Sequence, residues 1–201
     1  MNKVIILSGF LGSGKTTALM GFARHLVGIS DPGRPNKVVI LENEVGETGI
    51  DDQFLRGGGY TVSNLFDGCA CCSVSGELVS GVIKIRNEMD PQWLVIETTG
   101  IAYPKAIQEN LEIALNLHSR ICVLVDASRW RRLRVPMDAL LRGQIIGCDV
   151  VLLNKTDLVT QEELLEIESD IAQIDSSPPV LRISAIGDVL KSVWDAVTGD
   201  G

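Results

Sequence analysis

The chain has 201 residues and a formal net charge of -8, with a mass of 21.7 kDa and a pI near 4.8. This length suits one domain with a real core, and 45% hydrophobic against 22% charged residues excludes disorder. The acidic balance gives no support to a nucleic-acid or anionic-membrane surface, and no run of about 18 apolar residues offers a membrane span.

Aromatics make up only 4%, so the core must be aliphatic. Lys3 to Ser8 reads as a buried strand ended by Gly9, and Thr16 to Val27 as a helix. The opening Met1-Asn2-Lys3 ahead of Val4 to Leu7 is too short for a signal peptide and runs into a Gly-rich loop, so a cytoplasmic location is expected. Ser30 to Asn36 is a surface turn, and Lys37 to Leu41 a second strand. A long irregular stretch from Glu42 to Gly59 follows, of a length that compact domains seldom keep without a functional reason. Tyr60 to Leu65 reads as a short strand and Ser73 to Asn87 as a helix. Then strands at Trp93 to Ile96, Ile121 to Val125, Val150 to Leu153 and Val180 to Ile183 alternate with helices. Those helices are Tyr103 to Leu115, Trp130 to Ile146, Gln161 to Ile174 and Asp188 to Val197. This alternation predicts an α/β fold over residues 1–201 as a single domain, a mostly parallel sheet with helices on both faces.

Gly9-Phe10-Leu11-Gly12-Ser13-Gly14-Lys15-Thr16 fits G-x-x-x-x-G-K-[ST] between a strand and a helix. Small residues let the backbone wrap phosphates, and its N–H groups with the helix N-terminus behind them face the negative charge. Gly12, Ser13, Gly14, Lys15, Thr16 and Thr17 are therefore assigned to nucleotide binding. Lys15 should reach the β- and γ-phosphates and the Thr16 hydroxyl should ligate Mg²⁺.

Asn154-Lys155-Thr156-Asp157 follows a strand, where an open α/β sheet binds ligands. The Asp157 carboxylate can accept two hydrogen bonds from a guanine edge, a pair of donors that adenine lacks, so Asp157 is expected to select GTP over ATP. Asn154 and Lys155 would shape that pocket, and Ser184-Ala185 would offer a backbone N–H to the guanine O6. Glu97-Thr98-Thr99-Gly100 also leaves a strand. Glu97 would hold Mg²⁺, directly or through water, and Gly100 would let a backbone N–H approach the γ-phosphate. Asp126, at another strand end, ranks second for the Mg²⁺ role. Lys15, Thr16, Glu97 and Gly100 make up the expected catalytic set.

Of the five cysteines, Cys69, Cys71 and Cys72 lie within four residues. In a reducing compartment this points to metal or redox chemistry rather than a disulfide framework. One short segment gives a metal two or three soft ligands, leaving a position open or filled from elsewhere. Thiolates favour Zn²⁺ or Cu⁺, and mixed sulfur and oxygen ligation admits Co²⁺ or Ni²⁺. Glu42 or Glu47, in the acidic stretch that also carries Asp51-Asp52, would complete the site, the alternative being a solvated acidic loop. Cys122 and Cys148 read as core residues, and His118 as a surface histidine rather than a ligand. The basic run Arg129-Trp130-Arg131-Arg132-Leu133-Arg134 reads as a solvated helix face rather than a docking site.

Together these residues resemble the CobW family of P-loop GTPases, relatives of the nickel-insertion GTPases UreG and HypB. Ser8 to Thr17 is similar to that family's phosphate loop, and Glu42-Asn43-Glu44-Val45-Gly46 to its Asn-Glu-Phe-Gly segment with Val in place of Phe. Gly68-Cys69-Ala70-Cys71-Cys72 matches its Gly-Cys-x-Cys-Cys signature, and Glu97 to Gly100 its Glu-Thr/Ser-Ser/Thr-Gly motif. Gln144, Asp149 and Asn154 to Asp157 resemble its last GTPase stretch. The resemblance implies a SIMIBI-type GTPase that binds GTP and Mg²⁺, hydrolyses GTP slowly, and binds Zn²⁺, Co²⁺ or Ni²⁺ through Cys69, Cys71 and Cys72. It implies a metallochaperone or insertase, in some members linked to cobalamin synthesis, that serves a client metalloenzyme or corrinoid protein and forms a nucleotide- or metal-dependent homodimer. Many members carry a further C-terminal domain and a His-rich stretch. This sequence has only two histidines, so metal storage in a His tract is not expected. Two rival readings are an ATP-dependent small-molecule kinase, against which Asn154 to Asp157 argue, and a non-catalytic metal-binding module switched by nucleotide.

Overall fold

The computed structural model describes residues 3–42, 60–64 and 74–199. In chain order the strands are β1 (Lys3–Gly9), β2 (Val38–Glu42), β3 (Tyr60–Asn64), β4 (Trp93–Glu97), β5 (Ser119–Asp126), β6 (Val150–Asn154) and β7 (Val180–Arg182). The helices are α1 (Lys15–Ile29), α2 (Val74–Glu88), α3 (Pro104–Leu115), α4 (Trp130–Leu133), α5 (Asp138–Ile145), α6 (Gln161–Ile174) and α7 (Lys191–Thr198).

The seven described strands form one sheet in the order β3-β2-β4-β1-β5-β6-β7, with every neighbouring pair parallel. The expected α/β class is therefore what the chain adopts, and the sheet is parallel throughout. Parallel strands joined by crossover helices are covered on both faces, which is why they read as unbroken apolar runs. Alternate residues serve the two faces. Val4 and Ile6 of β1 join Leu78, Val82 and Ile85 of α2, Leu111 of α3 and Ile167 and Ile171 of α6. Ile5 and Leu7 join Leu19, Phe22 and Leu26 of α1 and Trp194 of α7.

Element ends follow local chemistry. Helix α6 starts where expected because Thr160 and Glu163 form a capping box: Glu163 N–H donates to Thr160 Oγ1 at 3.2 Å, and Thr160 N–H to Glu163 Oε2 at 2.9 Å. The long helix expected over 130–146 is instead two helices, α4 and α5. Pro136 lies between them, and its ring and missing N–H cannot be accommodated inside a continuous helix. The last helix begins at Lys191 rather than Asp188. Among the described residues, no helix is long and apolar enough to cross a membrane.

Candidate phosphate and base site

Strand β1 sits at the middle of the sheet, and its carboxyl end runs into the phosphate loop. Gly14 caps α1 with φ of 95°, a left-handed conformation, and a Cβ there would meet Asn154 Nδ2 at 2.5 Å. Only glycine fits. The first helical bond runs from Ala18 N–H to Gly14 O at 2.9 Å, so Lys15, Thr16 and Thr17 present N–H groups with no helical acceptor. Ser13 is fully buried, and its Oγ has no partner among the described residues. Lys15 is 5% exposed and its Nζ donates to Gly9 O at 3.1 Å, which holds the ammonium on the loop. An N-terminal donor array and a buried cation fit a phosphate chain.

Strand β4 delivers Glu97 beside this loop. Glu97 is 3% exposed, and Thr16 Oγ1 donates to its Oε1 at 3.4 Å. The structure thus brings together the two side chains expected to hold Mg²⁺, and a hydroxyl beside a carboxylate is a donor set suited to that hard cation. Glu42, at the end of β2, is also buried and stands in register with Glu97. Register partners on parallel strands share a face, so two carboxylates lie side by side at the edge of the sheet. Gly100 packs on the phosphate loop, and a Cβ there would lie 2.7 Å from Leu11 N and 2.9 Å from Leu11 Cα. Gln144 of α5 holds this segment from behind. Its buried Nε2 donates to Gly100 O at 3.1 Å and Ala102 O at 3.3 Å.

The turn after β6 joins the phosphate loop to the segment after β7. Asn154 is 2% exposed; its Nδ2 donates to Ser13 O at 2.8 Å, and its Oδ1 accepts Ala185 N–H at 2.9 Å. Lys155, with φ of 63°, donates to Gly12 O at 2.8 Å and pairs with the buried Asp126 at 2.7 Å. Thr156 Oγ1 donates to Ile183 O at 2.9 Å. Asp157 stands exposed beyond this brace. Asn154, Lys155, Gly12, Ser13, Ser184 and Ala185 are therefore one connected unit. Asp126, ranked second for Mg²⁺, has its carboxylate engaged by Lys155 and by Ser128 Oγ at 2.6 Å. The Ala185 N–H, expected to face a base, is spent on Asn154.

The basic run does not form one surface. Arg131 pairs with Glu163 and Glu166, and Arg134 with Asp170, all on α6. Arg129 turns the other way and donates to Leu11 O of the phosphate loop at 2.8 Å. No sequence pattern singled it out. Cys122 and Cys148 are buried as expected. Burial pushes the Cys122 thiol far up, and burial with Asp175 and Asp149 nearby pushes Cys148 up to about 12, so both stay protonated and neither is a ready ligand. His118 is exposed beside Glu112. The Glu42 to Gly59 stretch beyond Glu42 itself, and Cys69, Cys71 and Cys72, lie outside the described residues.

A phosphate loop between a central parallel strand and a helix, a carboxylate one strand away and a braced Asn-Lys-x-Asp turn define a P-loop nucleotide-binding protein of the α/β class. Residues 3–182 match the model of the CobW/HypB/UreG nucleotide-binding domain. The chain belongs to that family. It is 32% identical over 167 residues to the zinc chaperone YeiR of Escherichia coli, covering 81% of this chain and 49% of the relative. It is 31% identical over 191 residues to the zinc chaperone YjiA of the same organism, covering 90% of this chain and 57% of the relative. The chain thus spans about half the length of these curated relatives. Among solved structures, Zn(II)-bound YjiA GTPase of E. coli superposes with a TM-score of 0.66 at 25% identity, over 99% of this chain and 63% of that one. HypB of Helicobacter pylori in complex with nickel gives a TM-score of 0.64 at 18% identity, covering 99% and 85%, and supports the fold.

Proposed function

We propose that this chain binds GTP with Mg²⁺, hydrolyses it slowly, and uses the nucleotide state to control a transition metal carried at Cys69, Cys71 and Cys72 with Glu42. The metal, Zn²⁺ first and Co²⁺ or Ni²⁺ as alternatives, is cargo for a client metalloenzyme or corrinoid protein. A cytoplasmic location and a nucleotide- or metal-dependent homodimer belong to the same reading, as does the treatment of residues 1–201 as one domain. The names of the relatives, zinc chaperones and zinc-regulated GTPase metalloprotein activators, support it.

The observation that carries the nucleotide half is Asn154, which bonds the phosphate loop and the Ser184-Ala185 segment at once. A chain that ties its phosphate site to its base-side loop through one buried amide is built to hold a whole nucleotide. Lys15 and the N–H groups of Gly14, Lys15, Thr16 and Thr17 hold the phosphates, and Asp157 accepts from the guanine edge. Thr16 and Glu97 hold Mg²⁺, which when bound neutralises charge on the phosphates. Gly100 brings its backbone against the loop where the terminal phosphate lies. Among the described residues no side chain stands as a hydrolytic base, which fits slow turnover.

The metal half rests on coupling. Useful gating needs about 1–3 kcal/mol between the two sites. The test is Zn²⁺ affinity by competition with a chromophoric chelator, measured with a non-hydrolysable GTP analogue and with GDP. A several-fold difference, abolished in Cys71→Ser, is expected. Equal affinities would refute gating, and preference for ATP in a competition assay would favour the kinase reading instead.

A further inference from the structure

Arg129 ends the turn Ala127–Arg129 that follows β5. Its guanidinium lies over the Phe10 ring at 5.8 Å and donates from Nη1 to Leu11 O at 2.8 Å. The same Nη1 lies 2.9 Å from the point where a Cβ on Gly12 would project. Arg131 and Arg134 pair with acids of α6, whereas Arg129 pairs with no carboxylate among the described residues.

Three successive carbonyls of the phosphate loop are therefore gripped by side-chain donors: Leu11 by Arg129, Gly12 by Lys155 and Ser13 by Asn154. The described peptides are all trans, and across a trans peptide the C=O and the next N–H point in opposite directions. Holding a carbonyl away from the cradle thus turns the following N–H toward it. Ser13 N–H closes instead on Phe10 O at 3.1 Å, which shapes the loop. Gly12 N–H and Gly14 N–H donate to none of the described residues.

We propose that Arg129 is a positioning residue of the phosphate site: through the Leu11 carbonyl it fixes Gly12 N–H as a donor aimed at the phosphates. This rests on the nucleotide reading above. Leu11 is also the residue on which Gly100 packs, so Arg129 acts at the γ-phosphate end of the loop. Its effect falls on hydrolysis, where a preorganised donor meets developing charge, more than on holding GDP.

The test uses the 201-residue protein as wild type, Arg129→Ala and Arg129→Lys, with single-turnover GTP hydrolysis, GDP affinity and the ¹H–¹⁵N signal of Gly12. Arg129→Ala should lower the single-turnover rate about 10-fold, the rate equivalent of one hydrogen bond's net contribution, while GDP affinity stays near wild type. The downfield shift of the Gly12 amide on adding a GTP analogue should disappear. Arg129→Lys keeps a charged donor and should recover part of both. The inference is overturned if Arg129→Ala keeps the wild-type rate and Gly12 shift, or if it weakens GDP and GTP binding equally with bound GTP hydrolysed at the normal rate. A wild-type protein that neither binds nor hydrolyses GTP sinks the proposed function itself, and this inference with it, before any variant is compared.

Discussion

Removing the Asn154 side chain tests whether the phosphate loop and the base-side loop are held as one unit. Asn154→Ala deletes the donor to Ser13 O and the acceptor of Ala185 N–H, at a residue only 2% exposed. Each orphaned group costs about 1–3 kcal/mol. Relaxation recovers some of this, leaving a loss of about 2–4 kcal/mol. A domain with about 5–15 kcal/mol of stability survives that, so the variant folds and its binding can be read. Freed from Asn154, the Ser13 carbonyl no longer fixes the Gly14 N–H, and GDP affinity should fall at least about 10-fold, the affinity equivalent of one hydrogen bond. Asn154→Asp separates the two roles. It keeps an acceptor for Ala185 N–H but sets a carboxylate against Ser13 O. The buried, repelled carboxylate should cost at least as much stability and affinity as the truncation, even though Ala185 N–H keeps its acceptor. Urea denaturation and titration of a fluorescent GDP analogue provide the measurements. If Asn154→Ala stays within about 0.5 kcal/mol of wild type, the range of a neutral surface change, and binds GDP as tightly, the bridging argument is wrong.

Gly100→Ala should slow GTP hydrolysis about 10-fold or more, because its Cβ would sit 2.7 Å from Leu11 N, a backbone atom that can yield only if the phosphate loop shifts; single-turnover kinetics reads the loss, and a wild-type rate would refute it. Stability should also fall at alkaline pH. Above the ordinary thiol value of 9.0 the unfolded chain releases protons that buried Cys122 and Cys148 keep, so unfolding becomes easier as pH rises toward 12. Each thiol contributes up to about 1.4 kcal/mol per pH unit. Urea midpoints under reducing conditions should decline less steeply in Cys148→Ala, and parallel slopes would contradict the assignment.

Much of this site was legible in the sequence because its residues carry local signatures. The phosphate loop, Glu97 to Gly100 and Asn154 to Asp157 each follow an apolar strand, and a parallel sheet gathers the carboxyl ends of such strands along one edge. Arg129 was not legible, because its role depends on β1 and β5 being neighbours, with Gly9 beside Leu124. Nothing local separates it from Arg131 and Arg134, whose partners lie on α6. Asp126 shows the converse. A carboxylate at a strand end looks like a metal ligand until the sheet order places Lys155 against it. Pro136 splits the stretch over 130–146 because its ring and missing N–H break the helix, although the apolar periodicity on either side reads as one helix. Ala185 was expected to face the base, but the hydrogen bond from its N–H to Asn154 depends on β6 and β7 being paired, which spacing cannot reveal.

Glu42 and Glu97 give the proposed gating a physical route. They are buried register partners on adjacent strands, and neighbouring strands lie about 4.8 Å apart. Two ionised carboxylates about that far apart would repel by about 3 kcal/mol at an effective dielectric constant near 20. That is the size of the coupling required between nucleotide and metal. On the proposed reading, a cation held by Glu97 would relieve such repulsion and change how strongly Glu42 attracts a second cation. Glu42→Gln removes the charge while keeping the shape. It should weaken Zn²⁺ binding in every nucleotide state and, more tellingly, bring the affinities measured with GTP analogue and with GDP closer together. If the variant binds Zn²⁺ more weakly yet preserves the full wild-type ratio between the two states, coupling does not pass through this carboxylate pair.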